Sequence, residues 1–390
     1  MTVTPPRFKA GFSETAQWSS ACNEVLLGLG DIPEESNLGF IYLSDNHADD
    51  FGSILTYLRE KTGIEHWCGT VGIGVASIAG DKFGRIDSRE VYDQSALVAL
   101  IGAFPSDSFQ VFEAGQIEMD EGVRLVVTGD GVEKWLTENK PYLGVVHADP
   151  RDYSLPLQLS SLAAGLETYL VGGLTSSRTE MLQVADHVAE SAVSGVLFNA
   201  NAPAITGLTQ GCSPIGEQRM VTVSEGRRIV TIDNRPALDV LKEDIGELLS
   251  RDLSRIGGYI FVGFPIAGNE TEDYLVRNIL SIDTGDGSLE ITEETQPGQP
   301  IFFCRRDSDT ARKDLNRLLD DLRARLPSSP KAGLYFSCLG RGQALFGPNS
   351  EELNVIRQEF GDMPLVGFYA NGEISHDRLY GYTGVLTLFY

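Results

Sequence analysis

Cysteine is scarce and scattered in this chain. The five thiols among 390 residues, Cys22, Cys68, Cys212, Cys304 and Cys338, show no C-x-x-C spacing, so neither a disulfide framework nor a zinc knuckle is indicated, and most of them read as small buried hydrophobes. Positive charge is also in short supply. Against 55 Asp and Glu there are 31 Lys and Arg, a formal net charge of −24, which would repel a nucleic acid or an anionic membrane surface; neither is expected as a partner. No apolar run approaches the roughly 18 residues of a membrane helix, and Met1 to Lys9 lacks the charged-then-apolar order of a signal peptide, so the expected location is cytoplasmic. The phosphate loop G-x-x-x-x-G-K-[ST], the nucleophile elbow G-x-S-x-G and the zinc motif H-E-x-x-H are all missing. Nucleotide hydrolysis, serine hydrolysis and zincin chemistry lose their usual signatures with them.

What the chain has in excess is glycine, 42 of 390 residues, against a usual share of about 7%. Its length suggests two or three domains at roughly 150 residues each. The order of apolar runs and amphipathic stretches is that of an α/β fold. Ser13 is a candidate N-cap for a helix over Glu14 to Leu27, with Gly28 as its stop. Gly39 to Leu43 then reads as a buried strand, Asp49 to Thr62 as a helix, and Trp67 to Ser77 as a Gly-rich strand followed by Ala96 to Ile101.

The same β-α-β syntax returns twice. Gly144 to His147 is followed by a helix around Leu157 to Leu166, the strand Tyr169 to Gly173, a second helix, and Ser194 to Phe198. Near the end, Gly333 to Phe336 precedes a helix over Ser350 to Phe360, then Pro364 to Phe368 and Thr383 to Leu388. From first-strand glycine to second-strand glycine the intervals are 30, 29 and 34 residues, taking Gly39 to Gly69, Gly144 to Gly173 and Gly333 to Gly367. Short apolar strands without strict alternation imply sheets covered by helices on at least one face. Between the second and third units the pattern changes to hairpins: Gln218 to Val223, Arg228 to Ile232, Gly258 to Pro265, Leu275 to Ile282, Ser288 to Ile291 and Pro300 to Arg305 are strand-length pieces between turn signals. A helix over Asp309 to Leu326 and a Pro-Ser linker follow.

Candidate chemistry gathers at the strand ends. His47-Ala48-Asp49 and His147-Ala148-Asp149 repeat a tripeptide in which a histidine lies close to a carboxylate; that pair suits metal binding or proton transfer, and polar loop capping is the plainer reading. Gly69 to Gly74, Gly172 to Ser177 and Gly367 to Glu373 allow either close approach of backbone to a ligand or close packing of helix on sheet. In Ser337-Cys338-Leu339-Gly340-Arg341-Gly342 an arginine sits between two glycines, an arrangement suited to holding a carboxylate. Cys338 as a nucleophile would need a base, and no histidine is assigned to it by sequence; an inert buried thiol is the plainer reading.

These residues resemble the FIST-domain proteins. The match runs from about residue 37 to the end and is specific from about residue 140. It rests on Ala148-Asp149-Pro150, Val171-Gly172-Gly173-Leu174, Gln210-Gly211-Cys212-Ser213-Pro214-Ile215-Gly216, Arg235 to Leu241, Tyr274 to Asn278, Arg306-Asp307, Phe336 to Gly342, Leu345-Phe346-Gly347, and Gly367-Phe368 with Gly372-Glu373-Ile374. The chain departs from that pattern at Ser375-His376 and at Tyr380. No segment resembles an F-box, so the ubiquitin-ligase adaptor role of F-box relatives is not implied.

The resemblance implies a stand-alone intracellular sensory protein that binds a small ligand, such as an amino acid or similar anion, and relays to a partner, with a FIST N-like domain over 1–215 and a FIST C-like domain over 216–390. Glycine placement and the resemblance together put the ligand among Asp149, Gly172, Gly173, Gly211, Cys212, Gly216, Ser337, Cys338, Gly340 and Arg341, facing Glu373. Some relatives are described as haem-containing nitric-oxide sensors acting on histidine kinases. On that alternative a histidine such as His147 or His47 would supply the axial ligand. An enzyme using Cys338 or a His/Asp pair, and a purely structural adaptor, are the remaining readings.

Overall fold

The computed structural model describes residues 8–119, 122–266 and 273–390; the first seven residues, on which the signal-peptide reading largely rests, lie outside them. The chain is an α/β protein with mixed sheets. It divides into two compact units, one formed by Met1–Thr209, Leu315–Leu379 and Thr383–Tyr390, the other by Gln210–Asp314 and Tyr380–Tyr382.

All three β-α-β units fall in the first of these. Leu38–Ser44, helix Phe51–Thr62 and His66–Gly72 make one; Pro141–Ala148, helix Leu155–Leu166 and Tyr169–Leu174 the second; Ala332–Cys338, helix Glu351–Phe360 and Leu365–Ala370 the third. In each, the two strands pair in parallel, and a further strand adds antiparallel to the first: Leu97–Gly102, Val193–Asn199 and Thr383–Phe389 respectively. The first and third units share one sheet, joined through Leu365–Ala370 against Gly74–Gly80, while the second lies in another.

The repeat holds at single-residue register. Gly39, Gly144 and Gly333 pair with Trp67, Leu170 and Leu365, and two residues beyond each partner stand Gly69, Gly172 and Gly367. A Cβ at any of these three would collide with the carbonyl oxygen of the neighbouring strand, at Ile41, Val146 and Tyr335. The glycine that matches across the repeats is thus Gly172 rather than Gly173. Three residues beyond the first-strand glycines lie Tyr42, His147 and Phe336, and their rings meet one another, with centroids 5.5 to 6.1 Å apart. The three modules therefore converge on one aromatic cluster, completed by Phe368. The helices cover the sheets with apolar faces, Ile54, Leu55 and Leu58 in one core and Leu155, Leu159 and Leu162 in another.

Several expectations need correction. The first helix spans Trp18–Leu29, with Gln17 as its N-cap accepting from Ser20 N–H at 2.7 Å and Gly30 as its C-cap. Ser13 instead ends the strand Phe8–Ser13, where its hydroxyl accepts from Thr15 N–H and donates to Glu24. The Gly-rich strand is two strands, His66–Gly72 and Gly74–Gly80, interrupted at Ile73, whose N–H turns to Ser176 Oγ at 2.9 Å. No second helix forms between Gly173 and Ser194. Met181, Val184, Ala185, Val188 and Ala192 recur at helical spacing, but remote pairing overrides that pattern: Gln183–Ala185 adds to the edge of His66–Gly72 while His187–Val188 folds back on it.

The second unit is a closed antiparallel ring. Cys212–Glu225 pairs with Pro300–Arg306, then come Ile260–Pro265, Tyr274–Asp283, Ser288–Ile291 and Arg228–Ile232, which returns to Cys212–Glu225. Closure pairs each of these six strands on both sides. Its core, including Val221, Ile229, Val262, Ile291, Ile301 and Phe303, packs against Leu238, Val240 and Leu241 of the helix Ala237–Ser250, which sequence reading missed. Cys212 to Gly216 is accordingly the start of a long strand, because Cys212, Ser213, Pro214 and Ile215 pair with Arg306, Arg305, Cys304 and Phe303.

Candidate functional site

The strand Ala332–Cys338 ends in a turn that carries Arg341 into the interior. Arg341 has no exposed surface, and neither does its partner Glu352, in the first turn of the helix Glu351–Phe360. Arg341 Nε donates to Glu352 Oε1 at 2.8 Å; Nη2 lies equally close to that oxygen but is not aligned for a hydrogen bond. Glu352 also accepts from Tyr335 OH at 2.6 Å, Ser337 Oγ at 3.2 Å and Gly342 N–H at 3.0 Å. A carboxylate so supplied with donors pins the guanidinium from one side. Arg341 Nη1 has no hydrogen-bond partner, and Phe346 covers the guanidinium with its ring centroid 5.0 Å away.

Glu373 lies close enough for the Arg341 charge to act on it. It is fully buried; its Oε2 accepts from Thr383 N–H at 3.1 Å and Thr383 Oγ1 at 2.7 Å, and Oε1 is left without a hydrogen-bond partner. Burial pushes its pKa up to about 8, against the Thr383 hydrogen bonds and the Arg341 charge, which pull it down. At neutral pH the side chain is therefore a carboxylic acid able to donate. Glu90 is a second acid in this interior. Its Oε1 caps the helix Glu351–Phe360 by accepting from Leu353 N–H at 3.1 Å, and burial together with the Glu352 charge raises its pKa.

Ser337, Cys338, Gly340, Arg341 and Glu373 thus come together as one cluster. Cys338 is partly exposed and interacts with the Glu373 carboxyl, and Gly340 N–H lies 3.5 Å from its sulfur. Asp149 has a different setting: it holds Arg151 two residues on, with Arg151 Nη2 to Oδ2 at 2.6 Å. Gly172 and Gly173 pack against Val146 and Ala370, a close approach of protein to protein. Gly211, Cys212 and Gly216 belong to the barrel unit, where Gly216 leaves room for the Asp244 carboxylate that pairs with Arg219 at 2.6 Å.

Neither His147 nor His47 fits an axially held haem. His147 is fully buried, with Nε2 3.2 Å from Tyr42 OH and Nδ1 3.6 Å from Cys68 Sγ, and aromatic rings enclose it. Burial lowers its pKa to about 3 and raises that of the Cys68 thiol, so the pair stays neutral and forms no thiolate–imidazolium nucleophile. His47 is enclosed in the turn Asp45–Asp50, beside the Thr15 backbone. Register also separates the two His-Ala-Asp tripeptides, since His147 matches Tyr42 and not His47.

Sequence reading missed Glu352, Tyr335, Glu90 and Thr383. One signal was available for Glu352: an acid on the apolar stripe that Leu353 and Ile356 define near the start of a predicted helix.

Two family models match the chain, the FIST N domain over residues 37–235 and the FIST C domain over 237–376. Among curated proteins, the uncharacterized protein Rv0628c of Mycobacterium tuberculosis (strain ATCC 25618 / H37Rv) is 35% identical over 259 residues, 62% of this chain and 66% of the relative. The uncharacterized protein Mb0898c of Mycobacterium bovis is 33% identical over 237 residues, covering 57% and 60%. Human F-box only protein 22 is 36% identical over 74 residues, 19% of this chain and 18% of that protein. The chain thus spans just under two thirds of the length of the mycobacterial relatives it matches.

Proposed function

The chain belongs to the FIST family, whose domains are associated with sensory signal transduction and small-ligand binding, and from that premise we propose that it senses a small carboxylate-bearing ligand, an amino acid or similar anion, held between Arg341 and Glu373. One observation carries the reading: a fully buried arginine, locked along one side by Glu352, keeps Nη1 unpartnered, while Oε1 of the nearby Glu373 is also unpartnered. Leaving such groups unsatisfied in an interior is costly, so their placement favours a ligand that satisfies both. A ligand carboxylate pairs with Nη1. Protonated Glu373 donates to a neutral acceptor, or it gives up its proton and pairs with a ligand amine.

The pair is enclosed, so entry requires the turn after Cys338 to open. Ligand binding then selects the conformation in which that turn closes, and this population shift is what a partner protein reads. The partner proposed for that relay is a signalling protein such as a histidine kinase. Titration calorimetry against the twenty amino acids tests the reading. At least one is expected to bind, with affinity at least about tenfold weaker in Arg341→Lys, because an ammonium cannot reproduce the planar fork; equal affinity in the variant overturns the assignment of Arg341.

A further inference from the structure

A cleft beside the second β-α-β unit shares no residue with the Arg341–Glu373 cluster. The strand Glu373–His376 pairs antiparallel with Tyr169–Leu174, Gly173 facing Glu373 and Leu170 facing His376. Its two ends have different settings: Glu373 is buried and His376 is half-exposed. At the exposed end His376, Asp377, Thr168, Tyr169, Tyr142 and Ala163 line a cleft of about 360 Å³. That is near the lower end of the roughly 300–1,000 Å³ range of small-molecule sites, which suits a ligand of one ring.

His376 Nδ1 lies 2.9 Å from Asp377 Oδ1. A carboxylate only accepts, so in the neutral imidazole the proton sits on Nδ1, and Nε2 is an acceptor with no hydrogen-bond partner among the described residues. The Tyr169 ring braces this imidazole, with centroids 5.1 Å apart, and Tyr169 OH is itself tied to Ser375 Oγ at 2.9 Å. Thr168, just past the helix Leu155–Leu166, is 5% exposed, and its Oγ1 also lacks a partner; a buried hydroxyl left so is costly. Tyr142 OH is already used, donating to Ala202 O and accepting from Ala204 N–H, so this residue offers the cleft an apolar ring. Two carboxylates in the lining disfavour an anion, and both are paired, Asp377 with His376 and Arg378, Glu167 with Lys140 at 2.5 Å, which leaves a cation no free partner. His376 holds a left-handed φ of 60°, a strained conformation of the kind that clusters at functional positions. We propose that this cleft is a second ligand site, for a small neutral phenol-type compound whose ring lies against Tyr169 and Tyr142 and whose hydroxyl donates to His376 Nε2, with Thr168 Oγ1 donating to a ligand oxygen. A phenolic hydroxyl, with a pKa of about 10, is a stronger donor than an aliphatic alcohol, and its ring matches the aromatic walls.

The test is an NMR titration of the full chain, isotope-labelled at the histidine ring nitrogens, with phenol, anisole and cyclohexanol in parallel. At millimolar phenol one of the five histidines should shift saturably, and its signal should be the one absent from His376→Asn. Phenol should bind at least about fivefold more tightly than anisole, which lacks the donor, and than cyclohexanol, which lacks the flat ring. Asparagine tolerates the left-handed backbone, so His376→Asn should fold and lose most of the preference for phenol over anisole. Absence of a saturable shift overturns the proposal, as do a shift confined to another histidine, equal affinity for phenol and either analogue, or an undiminished preference in the variant. The wild-type affinities for the three probes decide the matter even where the variant fails to fold.

Discussion

At the residue scale, the molecule holds an ion pair and two carboxyl groups in one interior, Arg341 with Glu352 beside Glu373 and Glu90. A buried ion pair contributes little net stability. What it provides here is position, since three other donors, Tyr335 OH, Ser337 Oγ and Gly342 N–H, hold Glu352, and Glu352 in turn holds Arg341. Glu373 makes the cluster sensitive to pH. Its pKa rises from 4.5 to about 8 on folding, so below pH 4.5 both states hold the proton. Between these values the unfolded chain releases it while the folded chain keeps it, and stability contributed by the protonated acid is lost as pH rises through about 8. Urea unfolding of the ligand-free chain should show this as a larger fall in stability from pH 5 to pH 8 in wild type than in Glu373→Gln, which cannot ionise. Parallel pH profiles would contradict the raised pKa.

At the element scale, the β-α-β module explains much of the glycine excess. Where a first and second strand lie in parallel register, Gly69, Gly172 and Gly367 face a backbone carbonyl of the neighbouring strand at too short a distance for any side chain. Gly172→Ala should therefore lower stability by about 3 kcal/mol or more. Gly165, in the helix Leu155–Leu166, has open space where its Cβ would be, so Gly165→Ala should be neutral or stabilising by up to about 1 kcal/mol. Thermal unfolding of the two variants distinguishes these outcomes; equal effects would contradict the packing account. The three modules were legible in the sequence because apolar runs and helical stripes are local signals. The one-residue misalignment at Gly173 arose because both Gly172 and Gly173 are glycine, and only pairing partners tell them apart. The expected helix between Gly173 and Ser194 failed for the complementary reason: a short edge strand such as Gln183–Ala185 gains its hydrogen bonds from a remote partner that local pattern does not reveal.

At the scale of the whole molecule, chain order and spatial order differ. The strand Leu365–Ala370, near one end of the sequence, pairs with Gly74–Gly80 near the other, while the 210–314 segment closes into a ring of its own. Composition foretold hairpins in that segment but not their closure, since ring closure depends on the single pairing of Cys212–Glu225 with Arg228–Ile232 at one side and Pro300–Arg306 at the other. Among the described residues no helix is long and apolar enough to cross a membrane. The candidate site was legible in part: Ser337, Cys338, Gly340, Arg341 and Glu373 stood out as a glycine-flanked arginine and a strand-end acid, whereas Glu352, although it lies on the buried face of its helix, gains its role only from the remote Arg341 that packing brings to it. On the function proposed above, Arg341 Nη1, left unpartnered beside the Glu352 ion pair, is where a small anion would dock. Native mass spectrometry of the freshly purified chain, before and after incubation with the twenty amino acids, tests that claim most directly. The account predicts a single low-mass adduct on wild type that is lost in Arg341→Lys; a bare wild-type chain after incubation, or an adduct retained undiminished by the variant, would contradict it.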